Sequence, residues 1–199
     1  MNRIACLAGL AVASAAAMGG VLETVTIDFD DLQGGFAPPV ETDGLFSPHA
    51  TFSTEQDHVL LVFSGAGFVG GSNPNTLTAA ESVDASTFDS DIYVDFTVAV
   101  QNLSLDILSD NQTGLIGSLV VDHAGGSDVL SVTGDGNIST PMPTDLSGYI
   151  DVTRIELIDV TDEFGLSIDN LTFDVPVPAP GVLATLGLNG LAASRRRRG

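Results

Sequence analysis

Residues 92–100 read Ile92-Tyr93-Val94-Asp95-Phe96-Thr97-Val98-Ala99-Val100. The even positions of this stretch are all apolar, whereas most of the odd positions carry a polar group. Side chains of a β-strand point alternately to the two faces of a sheet, so a period of two indicates a strand with one buried face. The stretch therefore predicts a half-buried β-strand, with Tyr93 on its outward face.

The same period recurs on both sides of this strand. Toward the N-terminus it runs through Val25, Ile27 and Phe29, and toward the C-terminus it continues through residues 103–107. Further strands are predicted at about 59–64, 115–122, 128–133, 150–158 and 166–173. Gly-, Asn- and Asp-rich turns separate them, and only residues 78–86 favour a short turn of helix. Many short alternating strands predict an all-β domain, an antiparallel β-sandwich most simply of the jelly-roll type.

Two of the predicted strands change phase. In the last strand the apolar positions move from even to odd numbers at Asp169 and Asn170. In the strand before it they do so between Val152 and Ile155, which leaves Ile150 on the same inward face as Val152. A shift of one residue would turn every later side chain to the opposite face. We therefore expect a β-bulge in each strand, with the second at Asp169-Asn170.

The N-terminus has the pattern of a secretory signal peptide. A basic start at Arg3 precedes an apolar segment, residues 4–13, and small-x-small cleavage sites follow at 13–17. Cys6, the only cysteine, would leave with the peptide, so the mature chain can form no disulfide. We divide the chain into a signal peptide (1–17), a β-sandwich domain (18–175) and a C-terminal tail (176–199).

The charge of the domain restricts its partners. All 26 acidic residues lie between Glu23 and Asp174, where Arg154 is the only basic residue, so this region carries a net charge of about −25. Such a surface repels nucleic acids and anionic membranes, and no nucleic-acid partner is expected. Two explanations remain open: a carboxylate-rich surface adapted to a salty medium, or binding of divalent cations.

The tail combines a Pro-rich segment, a short apolar run that predicts a helix, and a basic end. Pro178-Ala179-Pro180 precedes the apolar residues 182–193, which are few against the roughly 20 needed to span a bilayer. Arginines then hold such a segment with its cations on the cytoplasmic side. They occupy four consecutive positions: Arg195, Arg196, Arg197 and Arg198.

This tail resembles a PEP-CTERM sorting signal, the substrate tail of bacterial exosortases. Pro178 and Pro180 stand where that signal has Pro-Glu-Pro, although Ala179 replaces the glutamate. The resemblance implies transient anchoring in the inner membrane and processing by an exosortase-type enzyme. It implies a final place in the cell envelope, at the cell surface or outside the cell. An ordinary C-terminal membrane anchor is the alternative.

A second resemblance involves the two ends of the domain. Residues 29–32 (Phe-Asp-Asp-Leu) and 168–171 (Ile-Asp-Asn-Leu) resemble the ends of jelly-roll modules in extracellular bacterial proteins. The resemblance implies that the first and last strands pair and that a structural calcium ion can lie near their seam. Oxygen ligands of the kind Ca²⁺ prefers are available there. The candidates are Asp28, Asp30, Asp31, Asp169 and Asn170. Turn-forming, solvent-facing carboxylates are the alternative.

Catalytic motifs are weak in this sequence. The three histidines have no metal-binding spacing, and no G-x-S-x-G motif occurs. His58 beside Asp57 and Glu55 is the best acid/base cluster, with a surface-loop histidine as the simpler interpretation. Tyr93, outward on its strand, is the best candidate for a carbohydrate contact, and no catalytic residue is assigned.

These observations predict an exported cell-envelope or extracellular-matrix protein, sorted by its tail, with a structural or binding role. Extracellular polysaccharide is the expected partner, and no enzymatic activity is expected. The alternative is a secreted carbohydrate-active enzyme of the glycoside hydrolase type. That function would require a pair of carboxylates on a concave sheet with aromatic walls.

Overall fold

The computed structural model describes residues 21–35, 39–64, 75–84, 87–108, 111–138 and 140–177. The signal-peptide region and residues 178–199 of the tail, including Pro178, Pro180 and Arg195–Arg198, lie outside the described residues. Leu22–Val175 form one compact unit. Within the described ranges, no helix is long and apolar enough to cross a membrane.

All regular elements in these ranges are β-strands. They are β1 (Val21–Ile27), β2 (Val40–Thr42), β3 (Ala50–Thr54), β4 (Val59–Ser64), β5 (Asn75–Ala80), β6 (Ile92–Leu108), β7 (Thr113–His123), β8 (Gly126–Asp135), β9 (Met142–Leu146), β10 (Val152–Ile158) and β11 (Ser167–Val177).

The strands form an antiparallel β-sandwich of the jelly-roll type, which confirms the predicted fold class. We call the first sheet, in the order β3-β6-β10-β7-β8, the front sheet. The back sheet has the order β2-β4-β5-β11-β6-β9, and β1 pairs with β11. The first and last strands therefore lie side by side, as expected.

Strand β6 belongs to both sheets. Its first half pairs with β3 and β10, and its second half pairs with β9 and β11. Between the halves Asn102 has a positive φ of 53°, and the buried positions change from even numbers (Val94) to odd numbers (Leu103). The positive φ at Asn102 thus lets this 17-residue strand keep its apolar side chains toward the core while it passes from one sheet to the other.

Both predicted phase changes coincide with irregular register. Asn170 has a φ of 48°, and the β6–β11 register shifts between Asp169 and Thr172, which confirms that bulge. The β6–β10 register shifts between Val152 and Arg154. The inward placement of Ile150 is wrong, because this residue precedes β10 and its side chain is 60% exposed.

The predicted helical turn at 78–86 is also wrong at its start. Residues 78–80 belong to β5, a central strand of the back sheet whose six residues are all buried. The hydroxyl of Thr78 donates to the backbone carbonyl of Leu166 (3.1 Å). Because β5 is buried on both faces, its sequence shows no sustained alternation of apolar and polar residues, which is the pattern that predicts a strand.

The core lies between the two sheets. Phe96 of the front sheet packs edge-to-face on Phe173 of the back sheet, with ring centroids 5.0 Å apart. Phe52 packs on Phe29 in the same way at 5.5 Å. These aromatic contacts join the two layers across the core.

One buried carboxylate, Asp162, joins two loops at an end of the sandwich. Its Oδ2 accepts hydrogen bonds from the backbone N–H groups of Asn111 (2.7 Å) and Gln112 (3.1 Å). Its Oδ1 accepts from the N–H of Phe164 (3.0 Å). The turn closes at Gly165, where φ is 70° and a Cβ would lie 1.8 Å from a backbone oxygen. This loop anchor holds the loop before β7 against the loop before β11.

Candidate functional site

The outer face of the front sheet carries a cluster of interacting polar side chains. Tyr93 and Asp95 project outward from β6, and Arg154 and Glu156 project from β10. The register places Arg154 opposite Asp95 and Glu156 opposite Tyr93. Alternation along each strand sets these positions, since the intervening residues, such as Ile155, point into the core. We call these four residues the Tyr93–Arg154 patch.

Arg154 is the centre of the patch. Its Nη1 donates to both oxygens of Asp95 (3.0 and 3.2 Å), and its Nε donates to Oε1 of Glu156 (2.5 Å). Its guanidinium lies 5.0 Å from the centre of the Tyr93 ring, a cation–π contact. Burial alone would lower the pKa of Arg154, but the two carboxylates raise it above its ordinary value. The side chain remains 32% exposed, so solvent or a ligand can reach it.

Tyr93 is oriented by its hydroxyl. The hydroxyl donates to Oδ2 of Asp91 (3.1 Å). Burial, the charge of Asp91 and this hydrogen bond together raise the pKa of Tyr93 to about 12. Burial also raises the pKa of Asp91, against the hydrogen bond from Tyr93, which acts in the opposite direction. The phenol therefore stays protonated, with its ring position set at one end by Asp91 and at one face by Arg154.

Short hydroxyl side chains border the patch on the β3 side. Thr51 lies opposite Asp95, and Ser53 lies opposite Tyr93. Both are exposed. The surface thus combines one aromatic ring, one planar donor group, carboxylate acceptors and hydroxyls within three adjacent strands. Groups of this kind can form paired hydrogen bonds with neighbouring hydroxyls of a ligand, while the ring packs against its less polar face.

Only part of this patch is predicted from the sequence. Alternation places Tyr93 outward, but no local pattern connects that residue with Arg154, Asp95 or Glu156. One signal was available, since Arg154 is the only basic residue between Glu23 and Asp174 and it occupies an outward position of its strand. The partner of Arg154 across the sheet could not be predicted from local sequence patterns, because 59 residues separate Arg154 from Asp95.

The predicted calcium ligands lie along the β1–β11 region. The two strands exchange side-chain hydrogen bonds, from Thr24 to Asp174 (2.6 Å) and between Thr26 and Thr172 (3.1 Å). The first ligand group, Asp28, Asp30 and Asp31, follows β1 directly. Oδ1 of Asp28 accepts from the N–H of Asp30 (3.3 Å), and Oδ1 of Asp30 accepts from the N–H of Asn75 (3.4 Å).

The second ligand group belongs to the bulge of β11. Asp169 is fully buried, and its Oδ1 accepts from the N–H of Asn170 (2.7 Å). The amide nitrogen of Asn170 donates to Oδ2 of Asp106 (2.9 Å). Within the ranges that the structure describes, no three or more His, Cys, Asp or Glu side chains group closely enough to hold a metal ion. Calcium at this seam therefore stays a prediction.

His58, the best acid/base candidate from sequence, contacts two groups through one nitrogen. Its Nδ1 lies 2.7 Å from the hydroxyl of Ser90 and 3.0 Å from Oε2 of Glu55. A serine–histidine–carboxylate relay needs the serine and the carboxylate on different ring nitrogens. Ser90 is also buried. This arrangement fixes the turn after β3 rather than activating a nucleophile.

No protein-family model and no curated protein sequence matches the chain. Several solved structures share features of the fold. The adhesin domain K1 of Lys-gingipain from Porphyromonas gingivalis W83 is 14% identical with a TM-score of 0.42, over 78% of this chain and 99% of that one. A family 29 carbohydrate-binding module is 9% identical with a TM-score of 0.36, over 77% and 89% of the two chains.

A larger enzyme also contains a similar region. The xylanase 10B of Clostridium thermocellum, solved as its CBM22-1 and GH10 modules with xylohexaose, is 15% identical with a TM-score of 0.38. The match covers 75% of this chain and 28% of the xylanase chain. All of these TM-scores lie below 0.5, so we infer neither activity nor ligand from them.

Proposed function

We propose that this chain is an exported binding protein of the cell envelope or extracellular matrix, and that it binds neutral polysaccharide through the Tyr93–Arg154 patch. The observation that carries the proposal is the patch itself. One outward strand pair assembles the only arginine of the domain, two carboxylates and an oriented tyrosine ring. Sugars present adjacent hydroxyls beside less polar ring faces, and these protein groups match both features.

Charge restricts the class of polysaccharide. The domain carries about −25 net charges, so an anionic polymer would be repelled as a nucleic acid is. Arg154 offers little attraction to an outside anion, because Asp95 and Glu156 already neutralise it. A neutral chain meets no such repulsion and can compete for the exposed hydrogen-bonding positions of the patch.

The enzyme alternative fits this patch less well. Glycoside hydrolysis by two carboxyl groups requires one of them to donate a proton to the leaving oxygen. A guanidinium can only donate hydrogen bonds, so Asp95 and Glu156 both act as acceptors around Arg154. The arrangement therefore favours recognition over proton transfer.

Binding can be tested with the exported full chain and a panel of insoluble neutral and acidic polysaccharides. We expect retention on at least one neutral polymer, and Tyr93→Ala or Arg154→Ala should weaken it tenfold or more. Tyr149→Ala is the matched control, because it removes the other tyrosine of the domain, whose ring lies 5.0 Å from His123 and outside the patch. Equal retention of all three variants, or retention on acidic polymers alone, would overturn the proposal.

Sorting is a separate part of the proposal and rests on the two terminal sequence patterns. Mass spectrometry of the protein recovered from its native host should find an N-terminus between Ser14 and Gly19 and a C-terminus near Pro178–Gly181. Replacing Arg195–Arg198 with serine should misplace the protein or release it unprocessed. Unchanged localisation and C-terminal mass in that variant would refute sorting by the tail without affecting the binding proposal.

A further inference from the structure

Strand β8 forms an open edge of the front sheet. It pairs with β7 from His123↔Gly126 to Thr113↔Asp135, and within the described part of the chain it is the last strand of that sheet. The N–H and C=O groups of every second residue of β8 therefore point away from β7. Natural edge strands are often protected by charged side chains, proline or a very short length. Strand β8 has ten residues and no proline, and its two charged residues, Asp128 and Asp135, lie outside its central segment 129–134.

The side chains of this edge are largely apolar at its centre. Val129 is 67% exposed, and Leu130 is half-buried. On the core side, Leu130 and Val132 line a cleft of about 270 Å³, which Met142 of β9 also lines. Among the residues that the structure describes, the edge thus offers backbone hydrogen-bonding groups without a strand partner, next to incompletely covered apolar side chains. These are the two requirements for adding another strand.

We propose that two copies of this chain associate by antiparallel pairing of their β8 strands, centred on Ser131. Residues of the two copies that lie opposite each other must point to the same face of the sheet. The two-fold axis of the pair must therefore pass through a residue of β8 and not between two residues. Centring on Ser131 places Leu130 opposite Val132 of the second copy. It also places both aspartates of the strand opposite uncharged residues, Asp128 opposite Gly134 and Asp135 opposite Ser127.

The neighbouring registers are poorer. Centring on Leu130 places Asp128 opposite Val132 of the second copy, on the core-facing side where a carboxylate loses hydration. Centring on Val132 places Leu130 opposite Gly134 and Val129 opposite Asp135, so Leu130 loses its apolar partner and Val129 faces a carboxylate. Cross-strand pairs of apolar residues stabilise a sheet. The Ser131 register forms two such pairs, Leu130 of each copy with Val132 of the other, whereas each neighbouring register forms one, its central residue with the same residue of the second copy.

The symmetry of this dimer has a consequence for ligand binding. Antiparallel edge pairing relates the copies by a two-fold axis perpendicular to the sheet, so the same face of both front sheets points in one direction. Tyr93 lies on β6, with β10 and β7 between it and β8. Seven strand spacings of about 4.8 Å separate the two β6 strands, so the two patches would lie roughly 35 Å apart on one surface. If the proposed polysaccharide function holds, one polymer chain can contact both patches and gain avidity.

The central test uses the full chain with Cys6→Ser and Ser131→Cys. Cysteines that oppose each other across a two-fold axis lie within disulfide distance, so mild oxidation should yield a covalent dimer in high yield. Ser118→Cys is the matched control, because Ser118 is the β7 neighbour of Ser131 and lies one strand away from the edge. Equal cross-linking of both variants, or none at Ser131, would overturn the proposed pairing.

Sedimentation of the wild-type chain gives an independent measurement. Because the domain of each copy carries about −25 net charges, the dimer fraction should increase with NaCl. Leu130→Glu should shift the chain to monomer at every salt concentration. A wild-type chain that stays monomeric at high salt and high concentration refutes the dimer. A monomer that still binds polysaccharide leaves the proposed function intact, and a dimer that does not bind refutes only that function.

Discussion

Two regions of this molecule hold charged side chains in opposite ways. In the loop anchor, Asp162 is fully buried and accepts three hydrogen bonds from backbone N–H groups. In the Tyr93–Arg154 patch, Arg154 is about one-third exposed and its partners are side chains. Backbone donors are part of the fold and cannot rearrange without opening it, whereas side-chain partners can exchange for a ligand.

This difference in surroundings predicts a difference in energy. A carboxylate buried among backbone donors leaves several unsatisfied groups when it is removed, and each costs about 1–3 kcal/mol. A surface ion pair is worth about 0–1 kcal/mol, since water replaces much of what is lost. The anchor should therefore control stability, and the patch should control recognition.

The largest expected effect is that of Asp162→Ala. It removes the acceptor of three backbone N–H groups, and we expect the free energy of unfolding to fall by about 3 kcal/mol or more. Urea denaturation at neutral pH measures it. Asp162→Asn keeps one acceptor oxygen and should lose less. A loss below about 1 kcal/mol for the alanine variant would remove the distinction between anchor and patch.

Arg154→Ala should behave in the opposite way. We expect the free energy of unfolding to change by about 1 kcal/mol or less, because the guanidinium and both carboxylates are partly exposed. Polysaccharide retention should fall tenfold or more in the same preparation. Arg154→Lys is the informative companion, since lysine keeps the charge but cannot donate to Asp95 and Glu156 from one planar group. A large loss of stability in Arg154→Ala would make the patch structural.

Salt should produce a smaller and more general effect. A domain with about −25 net charges repels itself, and added NaCl screens that repulsion. The melting temperature should rise by several degrees between low and moderate NaCl, more steeply in Arg154→Ala, which carries one more net negative charge.

Calcium chloride at matched ionic strength is the control for the salt experiment. Non-specific screening shows no saturation at low concentration, whereas a site that binds only the folded state saturates. A saturating rise with Ca²⁺, absent with Mg²⁺, would support the predicted calcium site at the β1–β11 seam. A melting temperature that does not change with NaCl would contradict the electrostatic account.

The smallest expected effect concerns Asp91, which borders the patch. Burial raises its pKa above 3.8 in the folded chain, so the folded state binds a proton at a higher pH than the unfolded state does. The stability from this group is therefore fully present below the unfolded pKa and is lost as pH rises through the folded value. Relative to Asp91→Asn, which cannot titrate, the wild type should gain stability as pH falls from 7 to 4. Parallel pH profiles of the two proteins would contradict this assignment.

The amino-acid sequence predicted those features that depend on near neighbours. The period of two in residues 92–100 reports which face of the strand is buried, and the parity change at Asp169-Asn170 reports the bulge. Composition gave the strongly acidic surface. Local patterns failed where burial was not one-sided. All six residues of β5 are buried, so no alternation marks them, and a short helix was predicted in part of that strand.

Only the tertiary structure decided which strands lie side by side. No sequence pattern near Arg154 predicts that it pairs with Asp95. No pattern within residues 92–108 predicts that this one strand belongs to both sheets. Alternation reports the burial of a face, which is a property of each strand by itself. Pairing and register instead depend on bringing distant segments together against chain entropy, and the balance of many weak contacts across the core determines the outcome.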